Sequence, residues 1–128
     1  MNFGLKSIYF NGLKIKLQVF NTAGQERFFN INRSHIDRSD IIILTYDVTD
    51  KSSLDTLIYR YNLIKENNIN KIYGVCGNKI DLKDRIIENE EEKMIQFTLD
   101  NHLDYYCRTS CKTYEGIEDM FYNLIEKY

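Results

Sequence analysis

Apolar and polar residues alternate from Leu13 to Val19. Leu13, Ile15, Leu17 and Val19 fall on one face, and Lys14, Lys16 and Gln18 on the other. That period of two predicts a half-buried antiparallel strand. A second apolar-rich run covers residues 3–10, and Asn11-Gly12 separates the two. Both turn residues tolerate positive φ, so the stretch predicts a hairpin closed by a type I′ turn. Residues 21–40 lose the alternation. Arg27, Arg33, Asp37, Arg38 and Asp40 make them polar, with room for one helical turn or two.

Ile41-Ile42-Ile43-Leu44 then runs into Thr45-Tyr46-Asp47-Val48, a β-branched run that predicts a strand buried on both faces. Thr49–Ser52 breaks it, and Ser52 with Asp55 forms a variant capping box. Leu54, Leu57, Ile58, Tyr61 and Ile64 recur at helical spacing, and Asn67-Asn68 ends that helix. Residues 72–76 predict the next strand, ended by Gly77-Asn78. Residues 88–100 predict a helix with an acidic first turn, which suits the macrodipole, and with Met94, Ile95, Thr98 and Leu99 on one side. Residues 105–109 predict a short strand. Residues 115–127 close the chain as a helix striped by Ile117, Met120, Phe121, Leu124 and Ile125. These stripes are expected to face a core. A hairpin followed by three strand–helix pairs predicts an α/β fold: a mostly parallel sheet, helices on both faces, one antiparallel edge strand.

Composition narrows this picture only slightly. The 128 residues are 43% hydrophobic and 28% charged, an ordinary globular balance that sets a single domain over residues 1–128. A net charge of −2 gives no electrostatic footprint for nucleic acid. No apolar run reaches 18 residues, so no membrane span is expected. Cys76, Cys107 and Cys111 lack CxxC spacing, which argues for reduced thiols rather than disulfides or zinc. His35 and His102 stand apart from any ligand cluster.

Chemistry is expected where the strands end, because open α/β sheets bind ligands at their carboxyl edge. Three unusual segments fall there: Asn21–Phe28 after the second strand, Gly77–Asp81 after the fourth and Thr109–Lys112 after the fifth. On this topology they converge on one rim.

These segments carry a family resemblance. Asn21-Thr22-Ala23-Gly24-Gln25-Glu26-Arg27-Phe28 resembles, with one substitution, the Asp-Thr-Ala-Gly-Gln-Glu-Arg-Phe segment of Rab-type small GTPases of the Ras superfamily. Asn78-Lys79-Ile80-Asp81 resembles the family's Asn-Lys-x-Asp motif, and Thr109-Ser110-Cys111-Lys112 its Thr-Ser-Ala-Lys segment. Lys16–Phe20 is similar to the Rab Lys-Leu-Gln-Ile-Trp strand, and Leu44–Thr49 also fits. Ser34–Ser39 departs from the common Tyr-Tyr-Arg-Gly-Ala segment.

The resemblance implies the P-loop NTPase-like small-GTPase fold, GTP/GDP and Mg²⁺ as cofactors, and GTP hydrolysis with switching in vesicle trafficking. It implies effector, exchange-factor and GTPase-activating protein partners, and a cytoplasmic protein whose full-length relatives sit on secretory or endocytic membranes. Asp81 would read guanine, with Lys79 lying along the base and Asn78 tying the loops together. Ser110 would support Asp81, and the amide of Cys111 would contact guanine O6, with Lys112 beside it. Gly24 would offer its N–H to the γ-phosphate, and Gln25 would orient the attacking water. Asn21 replaces an Asp that holds Mg²⁺ through water, so weaker metal affinity is expected.

The family's first strand, its Gly-x-x-x-x-Gly-Lys-Ser/Thr loop, first helix and switch threonine have no counterpart within these 128 residues, a layout of roughly 40 residues. Glycine occurs at 4, 12, 24, 74, 77 and 116, without the loop's spacing. The expectation is a partial small-GTPase domain without its central first strand, impaired in nucleotide binding and without a prenylated Cys tail for membrane anchoring. A non-enzymatic, Rab-like protein-binding module is the alternative.

Overall fold

A computed structural model describes residues 2–21 and 29–128. The chain divides into two compact units, residues 1–39 and 40–128. In the first unit, β1 (Asn2–Phe10) pairs antiparallel with β2 (Leu13–Asn21), in register from Asn2–Asn21 to Phe10–Leu13. Asn11 and Gly12 turn the chain with φ of 51° and 78°, the left-handed pair that the Asn-Gly signal predicts. After β2 comes α1 (Phe29–Arg38), a ten-residue helix that is longer than the turn or two expected. It stops where Ser39 donates its hydroxyl to the Ile36 carbonyl at 2.7 Å. Within this unit the Phe20 and His35 rings lie 5.1 Å apart.

The second unit is an α/β sandwich. Three parallel strands, β3 (Ile41–Asp47), β4 (Ile72–Asn78) and β5 (Tyr105–Arg108), form a sheet in the order β3-β4-β5. The helices are α2 (Lys51–Ile64), α3 (Glu90–Asp100) and α4 (Ile117–Lys127). Successive residues of β4 point to opposite faces. Gly74 meets Leu124 of α4 on one side, while the Tyr73 ring meets Tyr61 of α2 edge-on at 5.5 Å on the other. Tyr61 also meets Phe97 of α3 edge-on, so α2 and α3 share a face. The α4 face is built on Cys76, Met120 and Leu124, packed by Ile41, Ile43, Ile72 and Phe121. The fold thus has the α/β class that the alternation predicts, with the antiparallel pair forming a separate two-stranded sheet among the described residues.

Several local expectations change, the first on β2, where Leu13 and Val19 of the alternating apolar face are exposed and Ile15 and Leu17 half-buried. The cap of α2 is Asp50, whose carboxylate accepts the Ser52 amide at 2.9 Å; Ser52 is inside the helix rather than capping it. On β3 only Ile42, Leu44 and Tyr46 are fully buried, because β3 lies at an edge of its sheet. On α3, Met94 and Thr98 are buried but Ile95 and Leu99 are exposed. The buried side chain at the start of that helix is Glu90, which hydropathy alone would place outside. The three cysteines are free. No helix among the described residues is long and apolar enough to cross a membrane.

Gly77 leaves room for a buried phenol. A Cβ there would stand 2.7 Å from the Tyr46 hydroxyl and 3.0 Å from Val48. Tyr46 is pinned by its own hydrogen bonds and cannot swing away. Gly77→Ala is therefore expected to destabilise the chain by about 1–3 kcal/mol through overpacking, read as a lower urea midpoint at unchanged slope. An unchanged midpoint would show that Tyr46 yields freely.

Candidate functional site

The carboxyl ends of β3, β4 and β5 each run into a polar loop, and backbone hydrogen bonds join the three. Val48 N–H donates to the Asn78 carbonyl at 3.1 Å, Thr109 N–H to the Gly77 carbonyl at 2.7 Å, and Ile80 N–H to the Thr109 carbonyl at 3.2 Å. These bonds extend the ladder past the regular strands and fix the loop roots. Chemistry-bearing side chains then sit on a rigid base rather than on loop tips.

Asn78 joins two of the loops. Its Oδ1 accepts the Cys111 amide at 3.2 Å and the Thr109 hydroxyl at 3.2 Å. Two lone pairs on one amide oxygen suit this double acceptance. Ser110 is fully buried, and its hydroxyl donates to Asp81 Oδ1 at 2.7 Å. The same Ser110 oxygen accepts the Thr113 amide at 3.1 Å. Ser110 therefore orients Asp81 and is itself oriented. A hydrogen bond to a carboxylate contributes about 1.5–3 kcal/mol. With Oδ1 engaged by Ser110, the half-buried Asp81 keeps Oδ2 as a further acceptor.

Lys79 takes a left-handed backbone, φ 70°, and its ammonium binds Asp47 Oδ2 at 2.9 Å. Asp47 Oδ1 accepts both the amide and the hydroxyl of Thr49, at 2.8 and 2.6 Å. Burial pushes the Asp47 carboxyl up, but the hydrogen bonds from Lys79 and Thr49 outweigh it and hold the group below its ordinary 3.8. The bond to Asp47 raises Lys79 above its ordinary 10.5. Lys79 thus stands across the rim as a cation with a fixed anchor. Cys111 and Lys112 are exposed at the same loop.

The structure therefore brings Asn78, Lys79, Asp81, Ser110, Cys111 and Lys112 together around one rim. Asn21 ends β2 in the first unit, and Gly24 and Gln25 lie outside the described residues. Asp47 and Thr109 belong to the site although the sequence reading assigned them no role there. Asp47 falls in Leu44–Thr49, matched as a strand, and Thr109 in a tetrapeptide valued for its other members. Among the described residues, no group of three or more His, Cys, Asp or Glu could hold a metal ion. Asn21 offers only a neutral amide oxygen, a donor suited to contact through water and not to charge-bearing ligation of a hard cation.

A sequence profile of the Ras family matches residues 1–128. The chain belongs to the Ras family. Several similar relatives carry Rab names. It is 37% identical to Ras-related protein Rab-30 of Homo sapiens over 125 residues, which is 97% of this chain and 61% of the relative. It is 34% identical to Ras-related protein Rab-10 of Caenorhabditis elegans, covering 98% of this chain and 62% of that one. GTP-binding protein ypt2 of Schizosaccharomyces pombe is 31% identical, over 97% and 62%. The chain thus spans about three fifths of the length of these relatives. In this Ras-family chain, the antiparallel hairpin and the parallel strands with their helices form a partial small-GTPase architecture.

The Lys79–Asp47 pair makes a pH expectation with a definite sign. A carboxyl held below 3.8 contributes stability that is fully present above 3.8 and is lost as pH falls through the lower, folded value. Carbon-detected NMR should place the Asp47 midpoint below 3.8, and Lys79→Met should move it upward. A midpoint indifferent to Lys79→Met would show that the ion pair is not populated in solution.

Proposed function

We propose that this chain is the base-recognising part of a Rab-type GTP switch. The observation that carries the reading is the Ser110–Asp81 bond at 2.7 Å, set in loops that Asn78 ties together, in a Ras-family chain. Asp81 accepts the N1–H and N2–H₂ groups of guanine, and Ser110 keeps its carboxylate aimed. Lys79, anchored at Asp47, lays its methylene stem along the base. The Cys111 amide is the donor for guanine O6, shared with its 3.2 Å bond to Asn78 Oδ1; Lys112 frames the loop.

On the phosphate side, Gly24 gives its amide to the γ-phosphate and Gln25 orients the attacking water. Both roles rest on the family segment that these residues match. Magnesium, when bound, supplies charge neutralisation for the phosphates. Asn21 would meet it only through water. The wider role is that of Rab relatives: exchange of GDP for GTP, hydrolysis, and recruitment of effectors in vesicle traffic, with exchange factors and GTPase-activating proteins as partners.

A second reading, a Rab-like protein-binding module without hydrolysis, is favoured by one feature. The hairpin exposes Leu5 and Tyr9 on one face and Leu13 on the other, each about two thirds or more accessible. Exposed apolar groups of this kind are what a protein-binding surface would use.

The 128 residues hold base-reading groups but no Gly-x-x-x-x-Gly-Lys-Ser/Thr cradle. Calorimetry with Mg-GDP or Mg-GTP is therefore expected to show no binding at low micromolar nucleotide. GMP should still bind on the order of millimolar. In NMR titrations it should shift the amides of Asp81 and Ser110–Lys112, while AMP leaves them in place. Asp81→Asn should weaken GMP by roughly tenfold or more, the loss of a charged acceptor. Equal responses to GMP and AMP would refute the base-recognising role and leave the protein-binding reading. Tight Mg-GDP binding would refute the need for the cradle.

A further inference from the structure

A closed ring of hydrogen bonds lies beneath the rim. Tyr46 of β3 donates its hydroxyl to Glu90 Oε2 at 2.6 Å. Having given its one proton away, Tyr46 must accept from Tyr106 of β5, whose hydroxyl lies 2.9 Å from it. Tyr106 in turn accepts from Arg108 Nη1 at 3.3 Å, and that same nitrogen donates to Glu90 Oε1. Arg108 Nε also binds Glu91 at 2.8 Å. Donation starts at Arg108 Nη1, runs both ways round the ring and ends on Glu90, whose two oxygens are both used. Glu90 itself is only 2% exposed.

The ring's cost and its position point to a purpose. A buried carboxylate–guanidinium pair repays its desolvation only with good geometry and additional bonds, and an apolar pair of the same shape often stabilises as well. Stability alone is thus a poor reason for the arrangement. Its members, however, stand next to the residues that build the site. Tyr46 precedes Asp47, the anchor of Lys79. Its hydroxyl lies over Gly77, which precedes Asn78. Arg108 precedes Thr109 and Ser110, which hold Asn78 and Asp81. Burial raises both Tyr46 and Tyr106, so the phenols stay protonated and the ring keeps its donors.

We propose that Glu90 is a positioning residue for base recognition. By gathering Tyr46, Tyr106 and Arg108 it fixes the ends of β3 and β5, and so sets the placement of Asp81 and Lys79. Glu90 does not touch the base. It lies at the first turn of α3, so a shift of that helix changes how tightly the rim reads its ligand. This inference rests on the base-recognising role above.

The test compares GMP with IMP on the 128-residue chain. IMP differs in lacking the 2-amino group that one hydrogen bond of Asp81 requires. NMR titrations give both affinities for the wild type, Tyr46→Phe and Glu90→Gln. Tyr46→Phe keeps the ring's shape and removes one hydroxyl, so it serves if Glu90→Gln fails to fold. Each variant is expected to reduce the GMP-over-IMP preference by roughly three- to tenfold, and to speed hydrogen exchange at the Ser110 and Cys111 amides. A purely structural role would lower the melting temperature and weaken both ligands equally; that result overturns the proposal. A wild type with no preference for GMP over IMP overturns the base-recognising role itself. A preserved wild-type preference that Tyr46→Phe leaves unchanged overturns only the positioning role.

Discussion

The site depends on one constraint: the loops after β4 and β5 must be locked to each other before either can present a ligand-reading group. Asn78 supplies the lock, with one oxygen accepting from both Thr109 and Cys111. Ser110 can then reach Asp81 across the seam. Neither loop could hold Asp81 alone, because an exposed carboxylate on a free loop samples many rotamers and loses entropy on binding. Preorganisation moves that loss from binding into folding. The parallel pairing of β4 with β5 sets the spacing that makes the seam possible, and the bond from Thr109 N–H to the Gly77 carbonyl extends it.

Below this seam the second unit uses two kinds of interior. Towards α4 it is apolar, built on Cys76, Met120 and Leu124. Towards α3, near the strand ends, it is polar, with Glu90, Arg108, Tyr46 and Tyr106 in one ring. Apolar packing is non-directional and tolerates small shifts, whereas a hydrogen-bonded ring permits few geometries. The directional interior lies under the rim, where placement matters, and the forgiving interior lies elsewhere. The Lys79–Asp47 pair extends the same logic to the surface: it contributes little as an exposed ion pair but fixes where a long cation stands.

Much of this was legible in the residues, for physical reasons that differ by element. The hairpin was readable because Asn11-Gly12 demands a specific turn and Leu13–Val19 alternates strictly. The helices α2 and α4 were readable because long stripes leave one solution, and Met120, Leu124 and Ile125 are buried as expected. Shorter signals misled. Ser52 and Asp55 mimic a capping box, but Asp50 is the residue that reaches the free amide. Helix α1 exceeds the turn or two expected because Asn, Ser, His and Asp carry weak propensity and no cap signals its start. Glu90 was invisible among Glu88, Glu91 and Glu92, since only tertiary contact with Arg108 makes one acidic residue of a run worth burying. Asp47 was hidden for the same reason: its partner Lys79 comes 32 residues later, and no local pattern records the pairing.

In the proposed role, Ser110 holds Asp81 by one oxygen so that the carboxylate can read a guanine edge. A structure of the 128-residue chain at saturating GMP tests it most directly. It should place the guanine N1 and N2 about 2.7–3.2 Å from the Asp81 carboxylate, with the Ser110 bond to Oδ1 intact and the Lys79 stem against the base. A base bound elsewhere, or at Asp81 only after the Ser110 bond has broken, would contradict the account.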